Sequence, residues 1–196
     1  MGFDRPEGTK EVKYGTAGFR GPASKGEMDF VVHRTGILAS LRSRALSKAT
    51  GLMITASHNP VNDNGVKVTE PLGEMLIPEW ESFATQITNA VHLDQETAKI
   101  AEATKIEKDS FGLVVIGRDT RPTSEYLSFA ATEGVLWANG RVINLGIATT
   151  PQLHFLTCQL NSGVPIQNIS MNLYYTYFTD AFLAITKVGF DLKCLA

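Results

Sequence analysis

Short apolar runs recur along this chain, each stopped by a polar loop; the first is followed by a second extended run, Val66–Thr69, and the later two by segments of helical character. Thr50–Ala56 (TGLMITA), Phe111–Ile116 (FGLVVI) and Arg141–Leu145 have this form. A strand covered on both faces reads as such a run, and strand, loop, helix repeated in order predicts an α/β layered sheet. Pro122–Trp137 follows the loop GRDTRPTS and breaks at Asn139–Gly140, and Pro151–Leu160 opens on a proline, so both read as helices. Met28, Val31, Val32, Ile37, Leu38 and Leu41 recur at roughly helical spacing and predict a helix from Met28 to about Leu46. Pro78 at a first helical position, with Glu79 and Glu81 near the positive end of the helix, predicts a helix over 78–90. A weaker helical stretch covers 94–107, and Leu173–Thr186 is apolar and aromatic enough for a packing helix. Residues 1–13 are polar and read as a loose lead-in to Tyr14–Gly21, a short strand or loop.

With 196 residues the chain suffices for one domain and a tail. A formal net charge of −2 with 43% hydrophobic residues excludes a global field that recruits nucleic acid or an anionic membrane, and favours a small polar ligand. No apolar run approaches the ~18 residues of a membrane span. The start MGFDRPEGTK lacks the apolar core of a secretory signal, so a soluble, cytoplasmic protein is expected. Cys158 and Cys194 are far apart, which fits a reducing compartment and offers no metal-ligand spacing. Asn168–Ile169–Ser170 spells a glycosylation sequon, but without a secretory route it reads as chance. Composition says nothing about oligomeric state.

In layered α/β domains ligands gather outside the carboxyl ends of the strands, and here those ends carry SHNPVNDNGVK, GRDTR and GIATTPQLH. Ser57 follows a buried strand in a turn built by Asn59 and Pro60, a place that exposes one hydroxyl. Considered alone, a serine in a polar turn is most often a turn or cap residue. Its neighbours change the balance: Arg20, Lys67, Arg118 and Arg121 all fall in strand-end loops, and His58 adjoins the serine. Several cations round one hydroxyl suit a phosphoryl group, whose transfer depends on positioning and charge stabilisation. Each cation alone is most often a solvated surface charge, and Asp119 could simply pair with Arg118 and Arg121. His33 and His92 fall in or near helices, where packing or surface roles are favoured, and His154 lies close to the TTPQ loop. No P-loop, no GxGxxG and no paired His or Cys at ligand spacing occurs, which disfavours nucleotide and zinc chemistry.

The motifs GTAGFR at 15–20, TASHNP at 55–60, NGVK at 64–67 and GRDTR at 117–121 resemble those of the α-D-phosphohexomutases. PLGEML at 71–76 and TTPQLH at 149–154 look like the phosphoacetylglucosamine mutase branch, and the resemblance runs from about Tyr14 to Lys187. It implies a first domain with three α/β/α layers and a mixed sheet. It also implies interconversion of N-acetylglucosamine 6-phosphate and 1-phosphate, an amino-sugar phosphate as partner, and magnesium as cofactor. By the same resemblance Ser57 is the phosphoryl carrier and, once phosphorylated, a magnesium ligand. Lys67 is the general acid/base, and Arg20 and His58 stabilise the phosphoryl group. Arg118, Arg121 and Asn64 belong to the substrate and phosphate pocket. A lysine serves that role when burial or neighbouring positive charge lowers its pKa.

The family's three carboxylate ligands for magnesium sit in an Asp-Gly-Asp-x-Asp-Arg loop, which this sequence does not contain. Residues 188–196 (VGFDLKCLA) depart from the family, so the chain reads as a truncated first domain, inactive alone and marginally stable. Two other readings stay open: a non-catalytic binding or regulatory fragment of the same fold, and a phosphoglucomutase or phosphomannomutase.

Overall fold

A computed structural model describes residues 3–24 and 26–187. The parallel core is made of β2 (Thr50–Ile54), β4 (Gly112–Arg118) and β5 (Gly140–Ile147), with β4 in the middle. On the other side of β2, β3 (Asp63–Thr69) runs antiparallel and is followed by β1 (Phe19–Pro22), giving the order β1-β3-β2-β4-β5. The sheet is therefore mixed, as the family resemblance implied.

Strand alternation divides the core between two faces. Leu52, Ile54, Val114 and Ile116 point to one side, where they meet α1 (Asp29–Leu46) and α4 (Ser124–Trp137) in the main core. Met53 and Val115 point to the other, where Leu153 of α5 (Thr150–Asn161) covers them. Helices thus lie on both faces, and α2 (Pro78–Asn89) and α3 (Leu93–Ala103) extend the thicker side. Burying Ile37, Leu38, Leu52 and Ile116 completely stabilises the fold by about 1.5–3 kcal/mol per side chain before the entropy of ordering is subtracted.

The helices α1 and α4 cross at two glycines. A Cβ on Gly134 would overlap the carbonyl oxygen of His33, and one on Gly36 would overlap that of Ala131. The backbones approach until only hydrogen fits between them. On the β3 side, a buried pair ties α1 to the end of the strand: Arg42 grips both Glu70 oxygens at 2.9–3.1 Å and stacks over Trp80 of α2.

Two elements differ from the sequence expectation. The stretch ahead of Tyr14 is docked, because Phe3 is buried and stacks on His33 at 5.1 Å, and the Asn89 side chain bonds both backbone groups of Val12. A single aromatic in a polar segment carries no periodicity, so this contact is invisible in the sequence. The helix α6 (Met171–Lys187) forms, but it packs only sparingly. Phe155 of α5 meets Tyr174, Tyr177 and Phe178, while Phe182 and Ile185 stay more than half exposed. Among the described residues no helix is long and apolar enough to cross a membrane. Cys194 and the divergent 188–196 stretch lie outside the described residues.

His33 makes the fold acid-sensitive. Burial, assisted by Arg34 and opposed by Asp4, lowers its pKa from 6.5 to about 4, and its Nδ1 is buried without a partner. The unfolded chain then binds the proton first, so stability is full above pH 6.5 and declines as pH falls toward 4. Urea midpoints measured across that window should fall in the native chain and stay flatter in His33→Phe. Parallel declines would show that another group is responsible.

Candidate active site

Because β2, β4 and β5 are parallel, their carboxyl ends emerge along one edge, and the three following loops surround a cavity of about 760 Å³. Thr55, Ser57, Asn59 and Val61 line it from the β2–β3 loop, Asp119–Pro122 from the end of β4, and Ile147–Thr150 from the end of β5. Gln152 and Tyr175 complete the wall. The three carboxyl-end loops expected from the sequence do meet here, and two of the seven singled-out residues, Ser57 and Arg121, stand in this cavity. Arg20 and Lys67, expected in strand-end loops, instead lie inside β1 and β3, and Arg118 is the last residue of β4.

Ser57 is exposed and sits at φ 53°, the left-handed region that a side chain adopts only at a cost of about 1–2 kcal/mol. The surrounding hydrogen bonds hold it there. Its N–H donates to Thr55 Oγ1 (3.0 Å), and the Thr55 hydroxyl donates to Asp119 Oδ2 (2.8 Å). Asp119 is the hub of the loop: Oδ1 accepts from the Arg121 N–H and the Ser124 hydroxyl, and Oδ2 accepts from Thr55 and from Arg121 Nε. Burial pushes the Asp119 carboxyl up, but its bonds to Ser124, Arg121 and Thr55 and the Arg121 charge outweigh that and hold it below the usual carboxylate range.

Arg121 spans the whole loop. Nη1 donates to the carbonyls of Pro60 (2.6 Å) and Asp63 (3.1 Å), Nη2 to those of Ser57 (2.9 Å) and Asn59 (2.8 Å), and Nε to Asp119 (3.1 Å). A guanidinium has five N–H donors, and all five are engaged. Arg121, expected in the substrate and phosphate pocket, stands in the cavity wall with its side chain bracing the backbone of the serine loop. Asn64 is also engaged inside the fold. It is fully buried, its amide donating to the Thr123 and Ser124 hydroxyls and its oxygen accepting from Gly65 N–H, which ties β3 to the start of α4.

The other cations lie around the cavity and do not line it. Arg118 ends β4 and reaches Glu125 at 3.2 Å. His58 is exposed beside the serine. Lys67 sits on β3 opposite Met53, which puts both on the α5 face of the sheet. Burial and then the nearby Arg20 lower its pKa, the two causes that make a lysine usable for proton transfer. Gly18, at φ 85°, lets the 15–18 turn close directly over Lys67, since a Cβ there would collide with Val66 O and Lys67 Cβ. His154 is fixed by Gly73 O (2.7 Å) and Thr69 Oγ1 (3.2 Å), a latch between α5 and the end of β3.

Three features of the cavity escaped the sequence reading. Asp119 looked like an ion-pair partner and is a four-bond hub. The reciprocal capping box at the start of α5, Thr149 with Gln152, was readable from T-x-x-Q. Tyr175, reached by Gln152 Nε2 at 3.4 Å, comes from a distant helix and had no signal.

A magnesium ion finds no protein ligand set among the described residues. No three His, Cys, Asp or Glu side chains gather, and both oxygens of Asp119, the carboxylate beside Ser57, are already engaged by two donors each.

Residues 37–97 and 85–168 match the family described as phosphoglucomutase/phosphomannomutase, alpha/beta/alpha domain I. The phosphoacetylglucosamine mutase of Sus scrofa is 44% identical over 180 residues, which is 90% of this chain and 32% of that protein. That of Arabidopsis thaliana is 47% identical over 170 residues, 83% of this chain and 30% of the relative. An N-acetylglucosamine-phosphate mutase solved in its substrate complex superposes with TM-score 0.77 at 43% identity, over 80% of this chain and 30% of that one. The Aspergillus fumigatus enzyme, solved with GlcNAc-6P and magnesium, gives TM-score 0.74 at 39% identity, over 78% of this chain and 28% of that one. The chain therefore spans about a third of the length of the curated relatives it matches. With most of its sheet and helices inside the matched region, the chain belongs to the phosphoglucomutase/phosphomannomutase family through its α/β/α domain I.

Proposed function

We propose that this chain is the phosphoserine-bearing domain of a phosphoacetylglucosamine mutase, acting on N-acetylglucosamine 6-phosphate and 1-phosphate in the cytoplasm, on the way to the activated nucleotide sugar. The observation that carries the reading is Ser57 itself: an exposed hydroxyl, held left-handed by a braced loop, at a cavity where three strand ends meet. Relatives 40–47% identical are phosphoacetylglucosamine mutases, which favours that sugar over an unsubstituted hexose.

In the forward step the phosphoserine P–O bond breaks as a sugar hydroxyl oxygen bonds phosphorus, giving a sugar bisphosphate and the free Ser57 hydroxyl. Transfer back from the other end of the turned sugar restores the phosphoserine. Lys67, in the neutral amine form that burial and Arg20 favour, takes the sugar hydroxyl proton as the new bond forms, while the departing Ser57 oxygen takes a proton from solvent. In the transfer back Lys67 gives its proton to the departing sugar oxygen, and the Ser57 hydroxyl proton goes to solvent. Arg20 and His58 stabilise the transferring group. Magnesium, when bound at the phosphoserine, would offset phosphoryl charge; the described residues supply no carboxylate cage for it.

The test is incubation of the chain with glucose 1,6-bisphosphate and magnesium, followed by peptide mass spectrometry. One phosphoryl group should appear on Ser57, slowly and without mutase turnover, and Ser57→Ala should take up none. Labelling at another residue, or no labelling of a folded chain, would count against the reading. An unlabelled but folded chain would instead support a second reading, a binding module without chemistry.

A further inference from the structure

Four carbonyl oxygens of the serine loop turn toward one partner. Ser57, Asn59, Pro60 and Asp63 all present theirs to Arg121, and the oxygen of Asn62 takes the N–H of Ala23. The N–H groups are distributed differently. Those of Ser57, Asn59 and Asp63 are bonded within the loop, to Thr55 Oγ1, Ala56 O and Pro60 O. Those of His58, Val61 and Asn62 have no hydrogen-bond partner among the described residues, and all three residues are exposed. A loop with four carbonyls gathered on a guanidinium and several N–H groups left over has dipoles suited to an anion.

We propose that Arg121 is a positioning residue that makes the Ser57 loop an anion-accepting nest, and that the anion is the phosphoryl group carried on Ser57. The proposal rests on the reading of Ser57 as phosphoryl carrier. Arg121 acts without touching that group, since its donors are all engaged. Its contribution is orientation more than net charge, because Asp119 lies against it at 3.1 Å and offsets the guanidinium field. By holding four carbonyls away from the serine it removes the lone pairs that would repel a dianion. It also leaves His58, Val61 and Asn62 N–H groups free to bond it. Lysine cannot substitute, because a compact ammonium with three donors does not bridge four carbonyls and a carboxylate in a fixed fork.

The experiment installs phosphoserine at position 57 during translation and reads its second ionisation by ³¹P NMR, with amide spectra of the same samples. Free phosphoserine ionises at about 6. Hydrogen bonds to the dianion favour it, so the native chain should titrate lower by roughly half a unit or more, with downfield shifts at the His58, Val61 and Asn62 amides. In Arg121→Lys and Arg121→Met both signatures should vanish. His58, Asp63, Arg118 and Asp119 are present in every variant, so the differences report Arg121 alone. Melting curves show whether each variant folds, and if Arg121→Met does not, Arg121→Lys decides. An Arg121→Lys chain that titrates like the native one would show that charge, not orientation, matters, and would overturn the proposal. A native chain that titrates like free phosphoserine would do the same. Failure of Ser57 to accept a phosphoryl group from a sugar bisphosphate would sink the functional reading and leave this measurement intact, because here the phosphate is installed in translation.

Discussion

Gly134→Ala is expected to destabilise the chain by about 3 kcal/mol, the upper end for overpacking a close-packed interior. For a domain of this size that lowers Tm by roughly 6–12 °C. The added methyl would meet the carbonyl oxygen of His33, a backbone atom of α1 that cannot rotate away, so the helices must separate. That separation disturbs the layer holding Ile37, Ala130, Ala131 and Val135, all fully buried. Gly15→Ala is the matched control: its Cβ would have only an ordinary contact with Gly18 O, 4.0 Å away, and should move stability by no more than ~0.5 kcal/mol. Equal melting temperatures for the two variants would mean that α1 and α4 are not in such close contact.

Asp119→Ala should cost about 2–3 kcal/mol, because four donors lose one charged acceptor together and Arg121 keeps its charge with only carbonyl partners. The side chain is 23% exposed, so solvent softens the loss below that of a fully buried pair. The pH dependence follows from the direction of its shift. A carboxyl held below its ordinary value stabilises the fold fully above about pH 4, and that contribution disappears as pH falls through the folded value. Urea unfolding should therefore show the widest gap between native and Asp119→Ala chains at neutral pH and a narrowing gap below about pH 4. A gap that stays constant into acid would assign the effect to packing instead.

The strand ends were legible because apolar runs such as Thr50–Ala56 and Phe111–Ile116 have few other uses, and polar loops at their ends mark the edge where sites form. The fate of each polar side chain in those loops was not legible. An arginine in GRDTR can meet a phosphate or a set of carbonyls, and the choice depends on a backbone path set by β3, whose antiparallel insertion no local pattern reveals. Asn64 shows the same limit, being polar in composition and fully buried in fact because Thr123 and Ser124 come to it from α4 and its approach. Lys67 was identifiable as a proton-transfer candidate by resemblance, but its burial and the proximity of Arg20 are products of the pairing between β1 and β3. The exposed side of α6 misled in the opposite direction, since an aromatic-rich helix reads as buried until its neighbours are known.

The brace on the serine loop also has a temporal consequence. The strands β2 and β3 are joined by a short loop and can pair as soon as both have been synthesised, whereas the Arg121 guanidinium that grips Ser57 O lies 64 residues further along the chain. Contacts of that separation form late, after the loop-closure entropy of the intervening α2 and α3 has been met by other packing. A growing chain, or a peptide covering only 50–69, therefore carries Ser57 on a backbone free to leave the left-handed region. The shape of the loop belongs to the completed sheet, so an enzyme or antibody that reads short linear sequence would meet a different serine from the one the folded domain displays.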